Sequence, residues 1–374
     1  MEENHGKMQF NLKKDSNKLS KPGEIHFVFL GSKLPAYAKA SIQLAASTSR
    51  VDLCLIGNRS ILKSVRHLPV NFTALEDFYD NKEFNLTKRR ITADHKYRNG
   101  IWLKSLERFF VIYQYMLTHN RASIFHAELD QLIFRATRFT ELLENTKLKG
   151  LFIPFHSASS AIASMVYIND ILALKSLINF SQGDFKFPNE MVLIAEWAKQ
   201  NPDLIFQLPT PATLLQSRSD SFLPNVKLVT ASELEGVVDA AQLGQWIAGI
   251  DPKHLKLSVR PLTLFVDSPN EFLLSREQLE TLRFVQSEIG AVNVLSDSGL
   301  INIPLYNLHI HSKIHPALVN GKISISKVLD AASKLLQIEI PGARKQQIFG
   351  WIESKIYLAR RIASRVFRIL LMKE

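Results

Sequence analysis

One cysteine is all that the 374-residue chain contains, so an intramolecular disulfide is excluded. That residue, Cys54, lies in VDLCLIG, an apolar run that reads as a buried strand, where a thiol behaves as a small hydrophobe. This suits a reducing compartment. Long apolar runs are also lacking. The nearest approach, LFIPFHSASSAIASMVYIND, is interrupted by His156, serines and Asp170, and no transmembrane helix is expected. The first residues, MEENHGKMQFNLKKDSNKLSKPG, have no apolar core of the kind a secretory signal needs. Neither G-x-G-x-x-G nor G-x-x-x-x-G-K-[ST] occurs, which removes the dinucleotide fingerprint and the P-loop. There is no internal repeat.

What is present describes a globular protein. The chain is 46% apolar and 22% charged, and long enough for one large α/β domain or two halves sharing a cleft. Its net charge of +11 is unevenly placed: residues 1–22 carry +2, residues 341–374 carry +6, and the 318 residues between carry only +3. A nucleic-acid partner would call for basic surface on the fold itself, so none is expected.

The polar, lysine-rich residues 1–22 are expected to be disordered. EIHFVFLG (24–31) and VDLCLIG are apolar runs closed by glycine, with a helical stretch between them that starts near Pro35. ILKSVRHLPVNFTALEDF repeats the pattern, so the rhythm is that of a parallel sheet with crossover helices. In NGIWLKSLERFFVIYQYMLTH (99–119), Trp102, Leu106, Phe109, Phe110, Tyr113 and Met116 recur at helical spacing. The strand IFHAELD follows. KGLFIPF predicts another strand, SASSAIASMVYINDILALKSLINF a helix, and PNEMVLIAEWAKQNP a second helix capped by Asn189. Residues 207–230, rich in Pro, Ser and Thr, predict a long loop or lid. NLHIHSK (307–313) predicts a late strand and ISISKVLDAASKLLQI a closing helix.

Glu128 and Asp130 flank one residue where a core strand ends. On an extended chain both side chains point one way. Two hard oxygen donors there suit Mg²⁺ or Mn²⁺, with positions left for water and phosphate oxygens. In open α/β sheets this carboxyl edge is where ligands bind.

This order of elements, with SLERFF on the long helix and Glu128-Leu129-Asp130 closing an apolar strand, resembles the nucleotide-sugar glycosyltransferases of the GT-A fold, and among them the bacterial type that builds surface polysaccharide. The resemblance spans residues 24–320. It implies an acid-x-Asp motif that holds a divalent metal against the two phosphates of the donor; the first position here is Glu rather than the usual Asp. It implies that Ser105 and Arg108 face the donor, and that Leu30, Gly31 and Ser32 pack around its base and ribose. It also implies a late histidine completing the metal shell and a lysine on the diphosphate. His309 and His311 both fit; His311 is favoured because it is nearer Lys313. Acceptor and catalytic groups belong to the second half, where Asp170 and Glu190 are the candidates and Asp251 the third, with Trp246 available to stack on a sugar.

The expected protein is thus an α/β enzyme with a mostly parallel central sheet. It has a GT-A-like domain over 23–340 (nucleotide half about 23–135, acceptor half about 150–320). Its donor is a nucleoside diphosphate sugar, and its acceptor a glycan or lipid-linked glycan. In residues 341–374 an apolar stripe lies beside a basic face, with Trp351 near the start. This predicts a helix on an anionic membrane surface, with the enzyme cytoplasmic and peripheral at the inner face. Two other classes stand beside this reading: a metal-dependent hydrolase using His309 and His311, and a non-catalytic basic adaptor.

Overall fold

This computed structural model describes residues 23–48, 50–93, 95, 100–215, 221–241, 243, 282–288, 291–296 and 302–309. The first half runs β1 (Ile25–Phe29), α1 (Ala36–Thr48), β2 (Leu53–Gly57), α2 (Leu62–Val65), β3 (Asn71–Ala74), α3 (Lys82–Thr87), α4 (Ile101–Thr118), β4 (Ile124–Ala127), β5 (Gln131–Ile133) and α5 (Ala136–Glu144). The second runs β6 (Leu151–Ser157), β7 (Ser160–Ala161), β8 (Met165–Ile168), α6 (Ile171–Gln182), α7 (Glu190–Gln200), β9 (Ile205–Leu208), α8 (Pro211–Leu215), β10 (Lys227–Leu228) and α9 (Ala231–Leu234). It closes with β11 (Leu282–Glu288), β12 (Ala291–Ser296), β13 (Asn302–Leu305) and β14 (Asn307–His309).

The central sheet has the order β10-β9-β6-β8-β4-β1-β2-β3, and the pairs in that order are parallel except those made by β8; β7 pairs antiparallel with β6 off this path. Both faces are covered, which is why β1 and β2 are apolar nearly throughout. In β1, Ile25 and Phe27 stand beside Leu53 and Leu55 of β2 and pack with Ala38, Ile42 and Ala45 of α1. Cys54 and Ile56 of β2 alternate to the other face, toward Phe109, Phe110 and Met116 of α4. The helical spacing of 99–119 thus marks the inner face of α4, whose Phe109, Phe110, Ile112 and Met116 are all buried.

The chain leaves β1 toward β2 and β3 on one side and returns through α4 to β4 on the other. The order of strands reverses between β1 and β4. A crevice opens at such a reversal, outside the carboxyl ends of the two strands.

Three expectations are corrected. Residues 157–168 are not the start of a helix: Met165–Ile168 form β8, antiparallel to β4 and β6, and only Ile171–Gln182 are helical. Alanine favours a helix locally, but the buried MVYI run fills the gap between β4 and β6, and sheet pairing prevails over local propensity. The stretch 207–230 is not a single loop, since β9, α8 and β10 lie in or across it. The strand carrying the paired acids ends at Ala127, so Glu128 and Asp130 occupy the turn that follows it. Residues 1–22, the closing helix and the 341–374 tail lie outside the described residues. Among the described residues no helix is long and apolar enough to cross a membrane.

Candidate metal and nucleotide site

The turn after β4 reverses the chain into β5, with the Gln131 amide donating to Glu128 O at 3.3 Å and the Glu128 amide donating to Ser164 O at 2.9 Å. Strand β5 then pairs antiparallel with β14, setting His309 opposite Gln131. This register is what brings a residue 179 positions away in sequence onto the paired acids. His309 Nε2 lies 3.5 Å from Asp130 Oδ1 and 3.7 Å from Glu128 Oε2. Ligand atoms of all three residues fall within 4.8 Å of one another. Burial works against charging the His309 ring, but Asp130, Glu128 and Asp239 together hold its pKa above the ordinary value.

Strand β14 is itself pinned from below. The carboxylate of Asp239, fully buried, accepts from the His309 amide at 3.0 Å and from the Leu243 amide at 3.0 Å. Asn307 accepts from the Asp239 amide at 2.9 Å and donates to Gln131 Oε1 at 2.6 Å. The segment around Asp239 therefore fixes both the height and the register of His309.

On the α4 side Arg108, only 6% exposed, ion-pairs through its guanidinium with Glu128 and lies 3.7 Å from Glu190 Oε1. A fixed guanidinium thus holds one of the two paired acids. Glu190, 4% exposed, opens α7 behind Asn189, whose side chain accepts from the Val192 amide at 3.1 Å. Burial raises the Glu190 carboxyl to about 7; Arg108 opposes the rise, Glu128 adds to it, and a hydrogen bond with Ser105 lowers it again. Ser105, Arg108, Glu128 and Glu190 form one connected group.

Leu30, Gly31 and Ser32 follow the carboxyl end of β1 on the same edge, where Asn58 Nδ2 donates to Gly31 O at 3.1 Å. Asp170 is elsewhere. It caps α6, accepting from the Leu172 amide at 2.8 Å and the Ala173 amide at 3.4 Å. It follows Ile168, the residue of β8 paired with Ile124 at the start of β4, so antiparallel pairing sends it to the opposite edge of the sheet. His311, Lys313, Asp251 and Trp246 lie outside the described residues. Sequence reasoning passed over Asp239, whose one signal was a lone acid in the apolar run GVVDAA.

No known family profile matches the chain, and no curated protein does. Solved structures similar to it include mouse xyloside xylosyltransferase 1, at 11% identity and TM-score 0.36 over 50% of this chain and 86% of that one. They also include the PaToxG glycosyltransferase, at 13% identity and TM-score 0.32 over 57% of this chain and 83% of that one. A cytidylyltransferase from Leptospira borgpetersenii is similar at 12% identity and TM-score 0.30 over 54% of this chain and 78% of that one. Likenesses of this degree are partial and assign no activity, so the chemistry rests on the chain's own residues.

Proposed function

We propose that the chain is a metal-dependent glycosyltransferase, moving a sugar from a nucleoside diphosphate sugar to a glycan or lipid-linked acceptor. The observation that carries this reading is the meeting of Glu128, Asp130 and His309 outside the carboxyl ends of β1 and β4, where the strand order reverses. Two carboxylates and one imidazole fit Mn²⁺ or Mg²⁺, with room left in the shell for water and phosphate oxygens. When bound, such a cation supplies positive charge at the leaving diphosphate.

Within this reading the chain's residues divide the work. Arg108 orients Glu128 by holding its carboxylate, and Asp239 orients His309 through the β14 backbone. His309, rather than His311, is the imidazole we assign to the cation. Leu30, Gly31 and Ser32 offer backbone to the nucleoside from the neighbouring strand end. Glu190, with its pKa near neutrality, is suited to accept a proton from an acceptor hydroxyl. Lys313 as a diphosphate contact, Asp251 as a further acid and the 341–374 tail as an element that reaches a membrane-bound acceptor complete the proposal.

The test is calorimetric titration of uridine, guanosine, cytidine and thymidine diphosphates into the full chain, with and without Mn²⁺. One of them should bind only with the metal. Asp130→Asn should weaken that binding by more than about a hundredfold, beyond the 10–100-fold cost of losing an outer-shell partner. Equal affinity with and without Mn²⁺, or in the wild type and the variant, would overturn the assignment.

A further inference from the structure

A second group of ligand-type side chains lies at the amino-terminal edge of the same sheet. Glu24 immediately precedes β1, while His26 of β1 and Cys54 of β2 are direct neighbours in the parallel register. Ligand atoms of Glu24, His26 and Cys54 lie within 4.8 Å of one another. The roof is α4: Tyr115 Oη is 3.8 Å from Cys54 Sγ, and the Tyr115 ring stands edge-on to His26 with centroids 5.3 Å apart. Thr73 Oγ1 lies 3.8 Å from the sulfur on its other side.

His26 is the anomaly. It is 2% exposed, and neither ring nitrogen makes a hydrogen bond. Nε2 approaches Glu24 Oε2 to 3.2 Å, but not in hydrogen-bonding geometry. Buried polar groups are nearly always satisfied, so an imidazole left in this condition beside a thiol and a carboxylate calls for a ligand.

We propose that Glu24, His26 and Cys54 bind one zinc ion, in a site that clamps β1 to β2 beneath α4 and is separate from the Glu128–Asp130–His309 site. The donor set selects the metal. A thiolate with an imidazole and a carboxylate suits Zn²⁺, whereas the acid-rich site at the other edge suits Mg²⁺ or Mn²⁺. On binding, the Cys54 sulfur gives up its proton to solvent and the cation takes its place. Zinc–sulfur and zinc–nitrogen bonds are about 2.3 and about 2.0–2.1 Å long, and Glu24 Oε2 and His26 Nε2, 3.2 Å apart, already have the spacing of two ligands on one cation. Glu24, outside the strand, is the ligand able to move. Its Oε2 already accepts from Arg121 Nη2 at 2.6 Å, and this partly exposed guanidinium balances the carboxylate at the mouth of the site.

The test uses the full chain, stripped with chelator and titrated with Co²⁺. A thiolate-to-cobalt charge-transfer band in the near ultraviolet should grow to one equivalent, and Zn²⁺ should then displace it. Because Cys54 is the sole cysteine, the wild-type band identifies the ligand without any variant. Cys54→Ser should abolish the band, His26→Gln should weaken Co²⁺ binding at least tenfold, and Asp130→Asn should leave the band intact. Absence of the band at saturating Co²⁺ would overturn the proposal, as would its loss in Asp130→Asn. Neither result bears on the diphosphate titration that tests the transferase reading.

Discussion

Glu190→Gln isolates the buried acid behind Arg108. In the folded chain its pKa is about 7 against the ordinary 4.5, with burial as the largest cause. The folded state therefore holds this proton more tightly than the unfolded chain does. The resulting stabilisation is fully present below about pH 4.5 and lost as the pH rises through about 7. At ~1.36 kcal/mol per pH unit, the gap between the two values is worth about 3 kcal/mol. Glutamine keeps the shape and removes the titration. The assay is urea unfolding in chelator at a series of pH values from about 5 to about 8.5, spanning the transition. Trp197, fully buried in α7, supplies a fluorescence signal. Over that range the wild type should lose about 3 kcal/mol more than the variant, a difference from which the other titrating groups cancel. Parallel profiles would show that Arg108 keeps Glu190 ionised throughout, and would refute both the raised pKa and the proton-accepting role built on it.

Asp239→Asn should destabilise the chain by about 1–3 kcal/mol, because its new amide must face the backbone N–H of His309 or Leu243 with no acceptor between them. It should also weaken Mn²⁺ binding about 10–100-fold, measurable by calorimetry. Asp170→Ala should cost about 1 kcal/mol in urea unfolding, as loss of an N-cap does, with Mn²⁺-dependent diphosphate affinity unchanged; a lost affinity would return Asp170 to the site. His309→Gln should reduce Mn²⁺ affinity, and an unchanged titration would exclude it as a ligand. A chain ending at Ile340 should sediment with anionic liposomes less than the full chain. Engaging about half of the tail's net charge at roughly 1 kcal/mol each would amount to about a hundredfold in partitioning. Equal sedimentation would reject the tail as the membrane element.

Some of this architecture follows from the order of residues alone. Glycine-closed apolar runs marked β1 and β2, three- and four-residue spacing marked the inner face of α4, and Asn189 was legible as a cap, because each is a local preference that folding leaves in place. The paired acids Glu128 and Asp130 stood out for the same reason: charge beside a core run is conspicuous at short range. Other features were settled only in three dimensions. Residues 165–168 became a strand because β4 and β6 both needed a partner, a demand that no local propensity expresses. His309 joined the acids through the β14–β5 register, and Asp239 came beneath it through hydrogen bonds to residues 68 and 70 positions away. Arg108, expected to face the donor, proved to be a buried partner of Glu128 and Glu190, since the depth of a side chain depends on what packs over it. Asp170 went to the far edge because β8, which it follows, runs antiparallel to β4, so the carboxyl end of β8 lies at the amino-terminal edge of its neighbour.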